Sequence, residues 1–230
     1  MRRGNHPKEK RKSYTMSISK LLLPDDALIS WALAPFGLQP ASALADAIRQ
    51  YMELLLHWNQ KISLTSITDP QEILQRHFGE SMFAAHAVPI ARGRLVDIGS
   101  GAGFPGLALK LVVPELNVVL IEPSMKKSAF LAEVVRSLGV NGVKIISKRT
   151  EELSSLERIA DFVTCRAVRP DKRLLAWTRS ALAEDGRCVL WVGAEEAANL
   201  QKVIQWSWQA PMAVPLSTSR VILVGRPHSQ

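Results

Sequence analysis

The segment RLVDIGSGAGFPGLALK, Arg94–Lys110, sets four glycines into the eight residues 99–106, directly after a short apolar run. Glycines at such a place allow positive φ and let the backbone approach a ligand with no Cβ in the way. Apolar run, glycine turn and helix-patterned stretch together read as the first strand-to-helix crossing of a parallel sheet, where ligands sit beyond the strands' carboxyl ends. The rest of the chain agrees. After Arg94, short β-branched runs alternate with helical patterns. Strands are expected near Arg94–Ile98, Asn117–Ile121, Val143–Ser147, Asp161–Cys165, Arg187–Val192 and Arg220–Val224. Helices are expected near Pro105–Leu111, Ser124–Leu138, Asp171–Leu182 and Glu195–Ile204. The alternation predicts an α/β fold with a doubly wound, mainly parallel sheet. The last strand follows WSWQAPMAVPLSTS with no obvious helix before it, and reads as antiparallel.

Ahead of this region, Pro24 to Val88 carries no strand signal. Three stretches show helical spacing: PDDALISWALAPFGL, PASALADAIRQYMELLLHWNQ and DPQEILQRHFGESMFAAHAV. In the second, Leu44, Ile48, Tyr51, Leu55 and Trp58 recur at steps of three and four, one buried face. The expected organisation is a basic tail (1–20), a helical cap (21–90) and a ligand-binding α/β domain (91–230). The net charge of +8 points to a polyanionic partner, but residues 1–12 hold six Lys/Arg and one Glu and supply +5, leaving +3 for the rest. Such a tail reads as a solvated arm, and Met16 offers an alternative start. Nucleic-acid binding must therefore be argued from the folded part. No apolar run is long enough to cross a bilayer. Cys165 and Cys188 lie inside strand-like runs, which suggests neither a disulfide nor metal-ligand spacing. A cytoplasmic, metal-free monomer is expected.

Several ligands compete for the loop. A triphosphate loop closes on Gly-Lys-Ser/Thr, which is lacking here. Gly101-x-Gly103-x-x-Gly106 matches the dinucleotide fingerprint literally, so a nicotinamide-dependent oxidoreductase remains an alternative. The strand, however, ends at Ile98 and makes Gly99 the first turn glycine. The pattern is then Asp97-x-Gly99-x-Gly101-x-Gly103, the acidic GxGxG loop of class I methyltransferases. Asp97 suits a ligand bearing an ammonium and repels a pyrophosphate. Glu122, closing the next strand, supplies a carboxylate for ribose hydroxyls and serves either nucleotide. A purely structural turn also stays open, as does a non-catalytic RNA-binding protein.

VDIGSGAGFPGLALKLVVPELNVVLIEPSMKKSAFLAEVVRSLGV, followed by RTEEL and CRAV, closely resembles the glucose-inhibited division protein B family. These are bacterial methyltransferases of guanine N7 in 16S, small-subunit, ribosomal RNA. The Phe-Pro-Gly after the glycines is the more discriminating part, and similarity extends upstream through HWNQKISLTSITDPQEILQRHFGES. The resemblance implies a Rossmann-like class I domain, S-adenosyl-L-methionine as cofactor, and a ribosomal RNA or ribosomal subunit as partner. It carries over Gly99, Phe104, Thr150, Glu151 and Arg166 as cofactor contacts, beside Asp97, Gly101, Gly103 and Glu122 from the loop reading. Arg166, Arg76 and His77 become candidates for the substrate side. TEEL can also be simple helix capping.

The chain departs from the family at Ser63, where Asn-Leu-Thr usually begins, at Gly79-Glu80-Ser81, where Asp-Ser is usual, and at Val192, where relatives often carry lysine. The tryptophans Trp58, Trp177 and Trp191 read as core, Trp206 and Trp208 as ambiguous. Cys165 reads as core and not as the nucleophile of a C5 methylation. TCRAV stands where amino-methylating enzymes place Asn/Asp-Pro-Pro-Tyr/Phe. Guanine N7 carries an in-plane lone pair, so no proton must leave and no general base is expected.

Overall fold

The computed structural model describes residues 23–153 and 159–228. The expected basic tail and Met16 lie outside the described residues. Eight strands form one sheet: β1 (Gly93–Ile98), β2 (Leu116–Ile121), β3 (Val143–Ile146), β4 (Ala160–Arg166), β5 (Leu182–Gly193), β6 (Trp206–Trp208), β7 (Met212–Ala213) and β8 (Arg220–Pro227). Their order is β3-β2-β1-β4-β5-β8-β6, with β7 also on β8. The first five run parallel, and β8 is antiparallel to β5. The order reverses between β1 and β4, so the crevice of a doubly wound sheet opens there. The register Ile98↔Ile121 and Ile98↔Cys165 brings the carboxyl ends of β1, β2 and β4 level at that crevice.

Helices α6 (Gly106–Val112) and α7 (Met125–Ser137) cover one face, α8 (Lys172–Ala181) and α9 (Ala194–Leu200) the other. Side-chain caps set two of these starts: Ser124 accepts from the Lys127 N–H and Asp171 from the Leu174 N–H. Among the described residues the N-terminal region holds helices and no strand: α1 (Asp26–Leu33), α2 (Ser42–Asn59), α3 (Pro70–Ile73), a π-helical turn Leu74–Gly79, α4 (Glu80–Met82) and α5 (Ala84–Ala87). Its apolar stripe is the one read from spacing. Ile48, Tyr51 and Leu55 are fully buried, and Leu44 and Trp58 pack at the edge of the same core. That core runs without a break from the cap to Leu107, Phe130 and Val134 of the α6–α7 face. The cap is thereby fixed against the sheet close to the glycine turn.

Three element readings change. β5 begins at Leu182 and not Arg187, because the segment across Gly186 keeps pairing with β4 through an irregularity between Ala160 and Phe162. The helix expected to reach Ile204 stops at Leu200. WSWQAPMAVPLSTS contributes the strands β6 and β7, too short and too broken by Pro211 and Pro215 for an alternating pattern to show. Trp206 and Trp208 stack on each other, 5.3 Å between ring centroids, with Trp206 buried. Both cysteines are free and buried. Among the described residues no helix is long and apolar enough to cross a membrane.

Candidate functional site

Gly99, Gly101 and Gly103 all take positive φ, at 67°, 56° and 89°. The turn is tied to the next strand at its start, where the Gly99 and Ser100 N–H groups donate to the Ile121 carbonyl at 2.9 and 3.1 Å. It then folds back on itself, Gly103 N–H donating to the Ser100 carbonyl at 2.7 Å. The buried Tyr51 hydroxyl of α2 donates to the Ala102 carbonyl at 2.5 Å and fills the place a Cβ on Gly103 would need. The cap thus props the turn from below. Tyr51→Phe strands this carbonyl, and an unpaired buried acceptor costs about 1–3 kcal/mol. The expected result is a lower urea midpoint with an unchanged slope.

Asp97 occupies a different place from the one its pattern suggests. Along β1, Val96 and Ile98 face the α8–α9 core while Asp97 points to the other side, toward the start of α6. It is fully buried, accepting from the Thr164 hydroxyl at 2.7 Å and the Gly106 N–H at 3.2 Å, and it lines neither cavity of the cleft. Burial raises its carboxyl to about 6, against the hydrogen bonds from Thr164, Ser100 and Gly106 that lower it. Asp97 therefore holds the turn to β4 and α6.

Above the turn two cavities meet. One, of about 430 Å³, is walled by Gly99, Gly101, Phe104, Glu122, Arg166 and His77. The other, of about 690 Å³, is walled by Ile98, Ile121, Thr150, Glu151, Leu174 and Trp177. They share Gly99, Pro123 and Val168, so they are two halves of one cleft at the crevice. Glu122 accepts from the Gly101 N–H and the Ser124 N–H, both at 2.9 Å. Each carboxylate oxygen can accept a second bond, which leaves capacity for ligand hydroxyls. Thr150 and Glu151 open a single turn, Thr150–Glu152, in which Glu152 accepts from the Arg149 N–H at 3.4 Å. The capping role considered for TEEL thus falls to Glu152, and Thr150 and Glu151 face the larger cavity. A cleft with Glu122 in one half and Thr150 and Glu151 in the other, joined at Gly99, fits an adenosine-containing ligand. Gly99 supplies the specific test of fit, since a Cβ there would lie 2.5 Å from Val168 Cγ2 and fill the neck between the two halves.

The third side of the cleft is built by the cap. Phe104 lies between His77 (centroids 4.9 Å apart) and Tyr51 (5.4 Å), all nearly parallel. His77 bonds to Thr65 Oγ1 at 2.8 Å, and burial, with Arg166 and Arg76 nearby, lowers its pKa to about 3. It is a neutral ring. Arg76 and His77 both come from the π-helical turn, a local widening that recurs at functional sites. Arg166 leaves β4 toward the cleft as expected, yet most of its guanidinium is spoken for. It donates to Ser81 Oγ at 3.0 Å and to the Arg76 carbonyl, and lies 3.3 Å from the Glu80 carboxylate. Glu80, with its side chain 2% exposed, also takes a bidentate grip from Arg220 of β8. Trp191 Nε1 donates to the Glu80 carbonyl at 2.8 Å.

Sequence reasoning singles out neither Glu80 as an ion-pair hub nor Arg220 nor Val168. The only signal was the unusual Gly79-Glu80-Ser81, since an ion pair between a cap helix and a strand 140 residues later leaves no local pattern. Cys165 is buried, and desolvation drives its thiol up to about 12, so it cannot act as a thiolate nucleophile near neutral pH. Trp58, Trp177 and Trp191 all pack in or against the core.

The family model described as rRNA small subunit methyltransferase G matches residues 44–221. Among curated relatives, ribosomal RNA small subunit methyltransferase G of Caldanaerobacter subterraneus is 38% identical over 64% of this chain and 63% of its own length. The protein of that name from Lactococcus lactis is 34% identical over 80% of the chain and 79% of the relative, and that from Dichelobacter nodosus 33% over 80% and 87%. Solved structures similar in fold include a SAM dependent methyltransferase from Aquifex aeolicus (TM-score 0.55, 14% identity, 68% of this chain and 93% of that one). A ribosomal protein L11 methylase from Lactobacillus delbrueckii aligns with TM-score 0.55 and 12% identity over 67% and 80%.

Proposed function

The chain belongs to the rRNA small subunit methyltransferase G family, and we propose that its cleft binds S-adenosylmethionine and that it methylates N7 of a guanine in small-subunit ribosomal RNA. The observation that carries this reading is the paired cavity over Gly99, with Glu122 in one half and Thr150–Glu151 in the other. S-adenosylmethionine, when bound, supplies an electrophilic methyl group. Glu122 would hold the ribose hydroxyls, Thr150 and Glu151 the adenine edge, and Gly99 and Gly101 the close approach of the ligand to the backbone. Phe104, clamped between Tyr51 and His77, forms the apolar floor on the substrate side. Arg166 and Arg76, fixed by Glu80 and Glu72, line the approach to it. The protein acts in the cytoplasm as a monomer on this account.

The chain's part in the reaction is alignment, because an in-plane lone pair needs no base to expose it. Mass spectrometry of small-subunit RNA from cells with and without the gene tests the function: the 7-methylguanine disappears in the deletion, and an unchanged modification profile refutes it.

The pH dependence tests the chemistry. Asp97 loses its proton near 6, His77 is neutral well above its pKa near 3, and Cys165 keeps its proton to about 12. Single-turnover methyl transfer at saturating cofactor and RNA is therefore expected to be flat from about pH 7 to 9. A slope of one in that window would show a departing proton and an amino or C5 target. Stability has its own signature. His77 charges in the unfolded chain below about 6.5 but resists charging when folded, so it makes stability fall as pH drops from about 6.5 toward 3. Asp97, with a raised folded pKa, works in the opposite sense between about 6 and 4.

A further inference from the structure

On the far side of the Arg166–Arg169 segment lies another cavity of about 420 Å³, which carries Arg76, Arg166, Arg169 and Arg220 in its wall and Glu196 as a carboxylate. It shares Arg166, Ala167 and Val168 with the cleft over Gly99, so a ligand in one lies next to a ligand in the other. The four arginines are not equivalent. Arg76 is paired with Glu72 at 2.6 Å, and Arg166 is turned toward Ser81 and Glu80. Arg169 is exposed and makes no ion pair among the described residues. Arg220 gives Nε and Nη2 to the buried Glu80 carboxylate at 3.1 and 2.6 Å, while its Nη1 has no partner among the described residues and its side chain is 35% exposed.

A guanidinium gripped along one edge by a buried carboxylate is held in a single orientation, and its other edge is a pre-aimed donor for an oxyanion. Counting Glu72, Glu80 and Glu196, the cluster keeps one net positive charge. We propose that this cavity receives a phosphate of the RNA strand beside the target nucleotide, with Arg220 as the contact and Glu80 as the residue that aims it. The proposal rests on the ribosomal RNA reading above. It gives the last strand of the sheet a role in substrate binding.

Two substitutions approach the cavity independently. Arg220→Met removes the donor while Glu80 keeps Arg166 as its counter-ion. Gly193→Asp adds a carboxylate at a wall position where a Cβ meets nothing within 4 Å and the backbone is ordinarily extended, with Gly193→Ala as its control. The probe is a protein-free small-subunit ribosomal RNA transcript, titrated over a range of salt concentrations, with calorimetric S-adenosylhomocysteine binding as the check that the fold and cleft are intact. Arg220→Met is expected to bind this RNA about tenfold more weakly, with the slope of log Kd against log salt reduced by about 0.7 for the lost phosphate. Arg220→Lys keeps most of that slope. Gly193→Asp weakens RNA binding, and Gly193→Ala leaves it at the parental value. An unchanged salt slope in Arg220→Met, or parental RNA affinity in Gly193→Asp, overturns the proposal. Should Arg220→Met lose S-adenosylhomocysteine binding, the Gly193 pair decides. A parent protein that binds neither this RNA nor the small ribosomal subunit at any salt refutes the functional reading itself.

Discussion

Gly99→Val loses S-adenosylhomocysteine binding by at least about a hundredfold in calorimetry while retaining a cooperative unfolding transition. Two effects act together. At φ 67° a β-branched side chain is strained, and its Cβ would lie 2.5 Å from Val168 Cγ2, inside the neck that joins the two halves of the cleft. The strain alone costs about 1–3 kcal/mol and leaves a folded protein; the blocked neck removes the space a ligand must thread. Parental binding by this variant would show that the ligand does not cross Gly99, and would sink the assignment of the cleft.

Glu80→Ala has the largest expected effect on stability. One buried carboxylate on the cap helix α4 neutralises Arg166 and Arg220 together. Its removal leaves the largely buried Arg166 without its counter-charge and beside Arg220, and breaking a buried pair from one side costs about 3–5 kcal/mol. For a chain of this length that corresponds to a fall in thermal midpoint of about 6–20 °C. Calorimetric melting of Glu80→Ala beside the parent measures it. A shift below about 2 °C would mean that water reaches both arginines and that the network does not hold the cap.

The two variants separate what the sequence reveals from what it conceals. The turn was readable because its requirements are local: a strand, glycines at alternate positions, and an acidic residue two before the first of them. Glu122 was readable for the same reason, ending the next strand opposite the turn, and the Gly101 N–H finds it 21 residues away. The cap's buried stripe was readable from helical spacing alone. Asp97 was readable as part of the pattern but its direction was not, because which face of β1 it takes depends on where α6 returns. Arg166 was placed at the right strand end, while its partners belong to a turn 85 and more residues earlier. β6 and β7 were lost because two or three residues cannot display a period.

The spread of these contacts along the chain has a consequence for how the site comes into being. The glycine turn's own backbone ties join residues 3 to 22 apart, Gly103 to Ser100 and Gly99 to Ile121 among them, and its props, Tyr51 to Ala102 and Thr164 to Asp97, span 51 and 67 residues. The Glu80 junction instead joins a helix of the cap to β4 and to β8, closing a loop of 140 residues at its widest. Long closures pay their entropy before any contact rewards them, so they form late. During folding the nucleotide-binding turn is therefore ready before the arginine junction, and a chain caught between the two stages has a place for a small nucleoside but no ordered surface for a large polyanion.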